Sequence, residues 1–359
     1  MEITVNKIQI KGFKSIKEMD IVLKPINIIV GQNGAGKSNF VGVFKFLNKI
    51  VNKELQDYIR RNGGDDRFFY FGNKVTNQIE ISLFLKNNTN SYEISLVSAV
   101  PNTLYINKEI VRYLINNNYT DLGQGFESRL KEDDTYKCVF VKNFLEGIKI
   151  YHFHDVGDNA PIKKSCKITD NLFLQSQADN LPAMLYRFKK YNPYEYNKIV
   201  EVVKMVAPFF QDFILEPEEN NIMLRWKHIG YDKIFDVYDL SSGTLRFVAL
   251  ATLLLQPINC IANTILIDEP ELGLHPYSLK ILAELFKSVT KKDKQIIATS
   301  QSIEFINEFS YEDIIVVDRK DETSYFRRLE EKEVKEWLNE FSIGDIWGRN
   351  IIGGTPNDY

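Results

Sequence analysis

"INIIVGQNGAGKSNF" (residues 26–40) is the stretch that decides the fold. Ile26, Ile28, Ile29 and Val30 form a nearly unbroken apolar run, the pattern of a strand buried on both faces, and glycine interrupts it at once. Gly31, Gly34 and Gly36 let the backbone turn tightly enough for consecutive N–H groups to face a chain of phosphates. The spacing fits G-x-x-x-x-G-K-S/T, with Lys37 placed for the β- and γ-phosphates of a nucleotide and Ser38 for Mg2+. Phe40, Val43, Phe44, Leu47 and Ile50 then recur at helical spacing, so the loop opens onto a helix N-terminus, which favours anions. Strand, loop and helix stand in the order a P-loop requires.

Two segments downstream complete the chemistry. In "TILIDEPELGLHP" (264–276), Ile265, Leu266 and Ile267 predict a second buried strand ending in Asp268 and Glu269. Asp268 is placed to hold Mg2+ together with Ser38, and Glu269 to accept a proton from the attacking water. A metal there also relieves the repulsion between adjacent carboxylates. In "YDLSSGTLRFVALATLLLQ" (238–256), Ser241, Ser242 and Gly243 precede a helical pattern of Leu245, Val248, Ala249, Thr252 and Leu253. A serine-capped helix start is again suited to phosphate. One nucleotide does not need two such starts from one molecule. A twofold homodimer resolves this, each P-loop's ATP being closed off by the partner's serine-rich cap.

Composition bounds the rest. The 359 residues exceed the usual single-domain size, and 44% hydrophobic with 26% charged residues is ordinary for a globular chain. A net charge of −3 provides no global basic field, so nucleic-acid contact would need a local patch such as "YRFKKYNPYEYNK" (186–198). An amphipathic helix followed by a turn is the plainer reading of that run. Three widely spaced cysteines, Cys138, Cys166 and Cys260, suit a reducing cytosol, and no run approaches a membrane span, so the expectation is a cytoplasmic protein with no membrane partner.

The motifs "GQNGAGKSN" (31–39), "LSSGT" (240–244), "LIDEPELGLHP" (266–276) and "TSQSIEF" (299–305) together resemble those of ABC-type ATPase heads of the SMC and RecF class. More narrowly, they resemble the bacterial ATPases related to overcoming-lysogenization-defect proteins. The opening hairpin with its "KGFKS" turn is similar to that class as well. The resemblance implies an α/β P-loop NTPase head with a mixed central sheet, a lateral antiparallel β layer and an inserted helical lobe. It implies a nucleotide cradle of Gly31, Asn33, Gly34, Ala35, Gly36, Lys37, Ser38 and Asn39, closed by Ser241, Ser242 and Gly243, with ATP and Mg2+ as cofactors. It also puts Gln301 at the switch position where such ATPases usually carry a histidine. Glutamine can donate to a phosphate oxygen but cannot become cationic, so a slow ATPase is expected; the alternative is that Gln301 merely caps a loop.

The remaining expectations concern layout and partners. The chain divides into residues 1–100 (P-loop and β layer), 101–235 (inserted lobe), 236–330 (signature, second acidic strand and switch strand) and 331–359 (helix and tail). Residues 67–99 alternate around "KNNTNS" as an antiparallel hairpin. Residues 101–148 read as polar and irregular, and no sustained heptads predict a coiled-coil arm. In "IYHFHD" (150–155) alternation puts His152 and His154 on one face, two candidate ligands without a third, which favours structural or interface roles. The resemblance makes Gln175 and Gln177 candidates for the glutamine that couples lobe movement to Mg2+. The tail's glycines and proline suggest a flexible end or docking peptide. With no room for a fused nuclease, the effector is expected to be a separate protein, a nuclease in anti-phage defence by the association the class implies. A RecF-like DNA-binding repair factor and a nucleotide-stabilised scaffold are the alternatives.

Overall fold

The run at 26–30 forms the strand Ile26–Val30, buried at every residue, in the computed structural model, which describes residues 4–355. It lies inside a six-stranded mixed sheet ordered Thr323–Arg328, Ile314–Lys320, Ile26–Val30, Gln295–Ser300, Thr264–Ile267, Lys149–Tyr151. All neighbours are parallel except the first pair, an antiparallel hairpin. Successive side chains point to opposite faces. Ile28, Val30, Ile265 and Ile267 therefore enter the core beneath the helical lobe, while Ile29 and Leu266 enter the core under the P-loop helix. With both faces covered, these strands need apolar runs rather than alternation.

The helix Lys37–Val51 buries Phe40, Val43, Phe44, Leu47 and Ile50, all five positions of the predicted stripe. Beyond it lies a second six-stranded sheet, antiparallel throughout, ordered Ile16–Val22, Val5–Phe13, Gln78–Leu85, Asn90–Ala99, Thr103–Tyr113, Asn118–Asp121. Gln295 stitches the sheets together. Its Nε2 donates to the carbonyls of Val5 and Lys24, and its Oε1 accepts from the Val5 amide and the Thr264 hydroxyl.

Two readings are corrected here. Residues 101–148 are not irregular: they contribute the eleven-residue strand Thr103–Tyr113, the strand Asn118–Asp121 and the helix Tyr136–Gly147. A register shift in the pairing with Asn90–Ala99, between Ser95 and Leu96, breaks the period-two pattern, so the buried Leu104, Ile106, Ile110 and Val111 do not alternate cleanly. The tail is not loose as far as Thr355. The helix Ile343–Gly348 buries Trp347, Ile352 is buried, and the Gly354 amide donates to Asp318 Oδ1 at 2.6 Å. Residues 356–359 lie outside the described residues.

The lobe carries the helices Leu181–Tyr191 and Pro193–Val206 and a three-stranded sheet of Phe210–Ile214, Arg225–His228 and Ile234–Asp236. Trp226 is buried between Phe210 and Phe235. The longest helix between the P-loop helix and residue 242 has 14 residues, so no coiled-coil arm is present in this interval. The basic-aromatic run at 186–198 is split at Pro193, where a second helix follows rather than a plain turn. Lys189 pairs with Asp212, which also accepts from the Tyr196 hydroxyl at 2.6 Å.

Candidate functional site

After Val30 the backbone must reverse into a helix within six residues. Gly34 and Gly36 do this at φ +78° and +116°, where an L side chain is strained. A Cβ on Gly36 would also lie 2.1 Å from Ser324 Oγ. Ser324 donates to the Ala35 carbonyl and meets Ser15 Oγ at 2.7 Å, and Asn39 Nδ2 donates to the same Ser15 oxygen at 2.7 Å. The "KGFKS" turn and the strand Thr323–Arg328 thus prop the loop from outside it. Asn33 and Ser38 are exposed at its mouth, while Lys37 is buried. Lys37 Nζ folds back onto the carbonyls of Gly31 (2.6 Å) and Gln32 (3.2 Å). Burial pushes its ammonium below the ordinary lysine value, against the opposing pull of Glu269, Glu271 and Asp268. A cation is therefore kept in a recess overlooked by three carboxylates.

Those carboxylates follow the end of one strand, Thr264–Ile267, beside the end of its parallel neighbour Gln295–Ser300. Thr299 donates to Asp268 Oδ1 at 2.6 Å and accepts from the Glu269 amide at 3.0 Å, so one hydroxyl orients both acidic residues. Glu269 has φ +42°, a left-handed conformation uncommon for a side chain other than glycine, asparagine or aspartate. Gln301 Nε2 donates to Glu269 Oε1, so the two expected catalytic side chains are brought into direct contact. Glu271 Oε1 accepts from the Ser300 hydroxyl (2.8 Å) and the Gln301 amide (2.7 Å), which fixes the tip of the switch strand. Its Oε2 is buried without a partner, and burial pushes the Glu271 carboxyl above the ordinary glutamate value.

Asp268 has further neighbours that sequence reading did not assign. Because Lys149–Tyr151 runs parallel beside Thr264–Ile267, with Tyr151 opposite Ile267, the residues leaving it arrive at Asp268. His152 Nδ1 lies 3.7 Å from Asp268 Oδ2, and His154 Nε2 lies 2.8 Å from the Asp268 carbonyl. Burial works against ionising Asp268, but the adjacent His152, the hydrogen bond from Thr299 and the nearby His154 imidazole outweigh it and hold the carboxyl below the ordinary aspartate value. Gln175 and Gln177 are exposed, and Gln175 Nε2 is bonded to Asp170 at 2.6 Å. The alternation at 150–155 was the available signal, but only the pairing of the two strands reveals what the histidines face. An ionised Asp268 and an exposed Ser38 hydroxyl are hard oxygen donors that fit Mg2+, which when bound would offset phosphate charge.

The signature helix runs Ser242–Leu255. Ser241 caps it, accepting from the Thr244 amide at 3.1 Å, and Ser241 and Ser242 are exposed. Its start is pressed against the turn that follows Glu271: a Cβ on Gly243 would lie 2.4 Å from the Gly273 carbonyl oxygen.

Residues 26–307 match the family model described as "AAA domain, putative AbiEii toxin, Type IV TA system". The chromosome partition protein Smc of Methanocaldococcus jannaschii is 25% identical over 208 residues, 58% of this chain and 15% of that protein. This chain thus aligns with a small part of that relative. Among solved structures, an Smc head bound to the C-winged helix domain of ScpA superposes with a TM-score of 0.62 at 17% identity, over 92% of this chain and 99% of the other. An Smc head with an extended coiled coil, bound to the C-terminal domain of ScpA derived from Pyrococcus furiosus, gives 0.57 at 16% identity, over 94% and 99%. These two likenesses establish the fold.

Proposed function

The chain belongs to this AAA-domain family and is an ATPase domain with the SMC-head fold; from that premise we propose that two copies clamp two ATP molecules and act as a slow molecular switch. The P-loop amides and Lys37 bind the phosphates, and Ser241, Ser242 and Gly243 of the second copy close the site. Glu269 takes the proton of the attacking water, and Gln301 orients that water and the terminal phosphate. The contact between Gln301 and Glu269 is the observation that carries this reading. It ties the proton acceptor to the switch strand, so the acceptor is freed only when that strand's tip finds another partner, which favours low turnover. The switch reports to a separate effector, a nuclease in anti-phage defence in the manner of ATPases related to overcoming-lysogenization-defect proteins.

A ligand touching both copies binds the closed pair better and shifts the population toward it. Glu269→Gln should therefore abolish steady-state phosphate release and accumulate an ATP-dependent dimer, measured by light scattering with saturating ATP and Mg2+. A monomeric Glu269→Gln chain under those conditions would sink the two-copy reading. Phosphate release from the unaltered chain at no more than background would favour a scaffold with structural nucleotide.

A further inference from the structure

Arg246 lies on the second turn of the signature helix, and its guanidinium addresses three separate backbone carbonyls. Nε donates to Phe153 O at 3.0 Å, Nη2 to His154 O at 2.7 Å and Nη1 to Leu272 O at 3.0 Å. No carboxylate pairs with it among the described residues, and burial lowers its basicity. A half-buried guanidinium held only by carbonyl dipoles is an expensive way to fasten a helix, since an apolar residue would pack there at less desolvation cost. Its fork also occupies the space over Gly273, where a Cβ would lie 2.4 Å from Nη1. What the arrangement provides is a rigid, planar, three-point connection between elements that are otherwise distant in sequence.

The ends of that connection lead to Asp268 and to Glu269. The His154 carbonyl that Arg246 grips belongs to the residue whose ring meets the Asp268 carbonyl at 2.8 Å, in the segment that brings His152 within 3.7 Å of the Asp268 carboxylate. Leu272 lies on the turn leaving Glu269, and its amide donates to the Glu269 carbonyl at 3.2 Å. On the other side of Arg246 is the exposed start of the helix, Ser241 and Ser242. The helix start and Asp268 with Glu269 are thus braced against each other within one subunit through Arg246.

We infer that Arg246 is a positioning residue that couples the two nucleotide sites: engagement of one copy's signature by its partner's ATP sets the geometry of Asp268 and Glu269 in that same copy. This rests on the two-copy reading above. Coupling of this kind is reciprocal for binding and makes hydrolysis depend steeply on ATP concentration, with a Hill coefficient bounded by the number of sites. Without the brace each site works alone and its acidic residues are poorly aimed.

The test uses the full chain carrying Arg246→Ala or Arg246→Lys. Three quantities are followed: binding of a fluorescent ATP analogue, the ATP dependence of phosphate release, and ATP-dependent dimerisation with Glu269→Gln added. Arg246→Ala should keep analogue affinity within about threefold, since the P-loop is untouched, and should still dimerise in the Glu269→Gln background. Its turnover should fall on the order of 10- to 100-fold, the scale of a small misplacement of reacting groups, and its Hill coefficient should drop from about two toward one. Arg246→Lys should recover part of both, because an ammonium can reach some but not all of the three carbonyls. A wild-type rate and steepness in Arg246→Ala, a hyperbolic profile in the unaltered chain, or loss of the dimer in Arg246→Ala would each overturn the inference. A monomeric Glu269→Gln chain removes the two-copy reading itself, whereas Glu269→Gln dimers with an unaltered Arg246→Ala profile remove the inference alone.

Discussion

Lys37 and Arg246 are both enclosed cations that donate to backbone carbonyls, yet they belong to sites built in opposite ways. The carbonyls that Lys37 contacts, Gly31 and Gln32, lie six and five residues away in its own loop. Those that Arg246 contacts lie 93, 92 and 26 residues away. The P-loop is a local fold of the backbone, kept open by glycine and propped by Ser15 and Ser324. The edge that carries Asp268 and Glu269 is an assembly of segments that meet only because a parallel sheet lines up their ends. On the proposed function, the first kind of site serves binding and the second can be moved, because displacing any one segment changes the others.

The largest expected effect tests the binding side of that contrast. Lys37→Ala should weaken ATP binding about 100-fold, roughly 3 kcal/mol, by removing the charge-assisted contacts to the phosphates, as read by calorimetric titration. If Arg246→Ala weakened ATP binding as much, the division between a binding site and a movable edge would collapse. A pair of glycine substitutions sharpens it at the level of stability. Gly36→Ala combines a left-handed backbone with a Cβ 2.1 Å from Ser324 Oγ, and should cost about 2 to 4 kcal/mol in denaturant unfolding. Gly243→Ala gains helix propensity but drives a Cβ into the Gly273 carbonyl, so its net cost should be smaller, about 1 kcal/mol. It should depress turnover more than it depresses stability.

The smallest effect is electrostatic. Burial raises the Glu271 carboxyl above its unfolded value of 4.5, so the fold favours the neutral form. That contribution is complete below the unfolded value and is lost as pH rises through the folded one. Glu271→Gln keeps an acceptor for the Ser300 hydroxyl and the Gln301 amide while removing the ionisation. It should raise stability at pH 7 and flatten the fall in melting temperature between acidic and neutral pH. An unchanged pH profile would mean that the surroundings of Glu271 do not disfavour its ionised form.

Much of the site is legible in the sequence. The apolar runs at 26–30 and 265–267, the glycine spacing and the stripe from Phe40 to Ile50 are all short-range patterns, and each became the element it predicted. The strand Thr103–Tyr113 is not legible because its irregular pairing with Asn90–Ala99 breaks the period-two alternation. The tail was missed for a different reason: its glycines looked like slack, but Gly354 approaches Val316 and Trp347 so closely that a Cβ would lie 2.9 and 3.0 Å from their side chains. Glycine there permits packing rather than motion. His152 and His154 were correctly placed on one face, but nothing in their own neighbourhood names Asp268 as what that face meets.

What the chain determined by itself is everything carried by bonds within a few residues: the P-loop, the serine-capped helix start, and the paired carboxylates at the end of a buried strand. Only the tertiary structure decided that Thr299 orients both carboxylates, that Gln301 rests on Glu269, that His154 and Asp268 meet across 114 positions, and that Arg246 fastens the signature helix to the carbonyls of Phe153, His154 and Leu272. The physical reason is that backbone conformation and apolar periodicity are local properties. A polar contact between strand ends instead depends on which strands pair and in what register, and the whole core sets that at once.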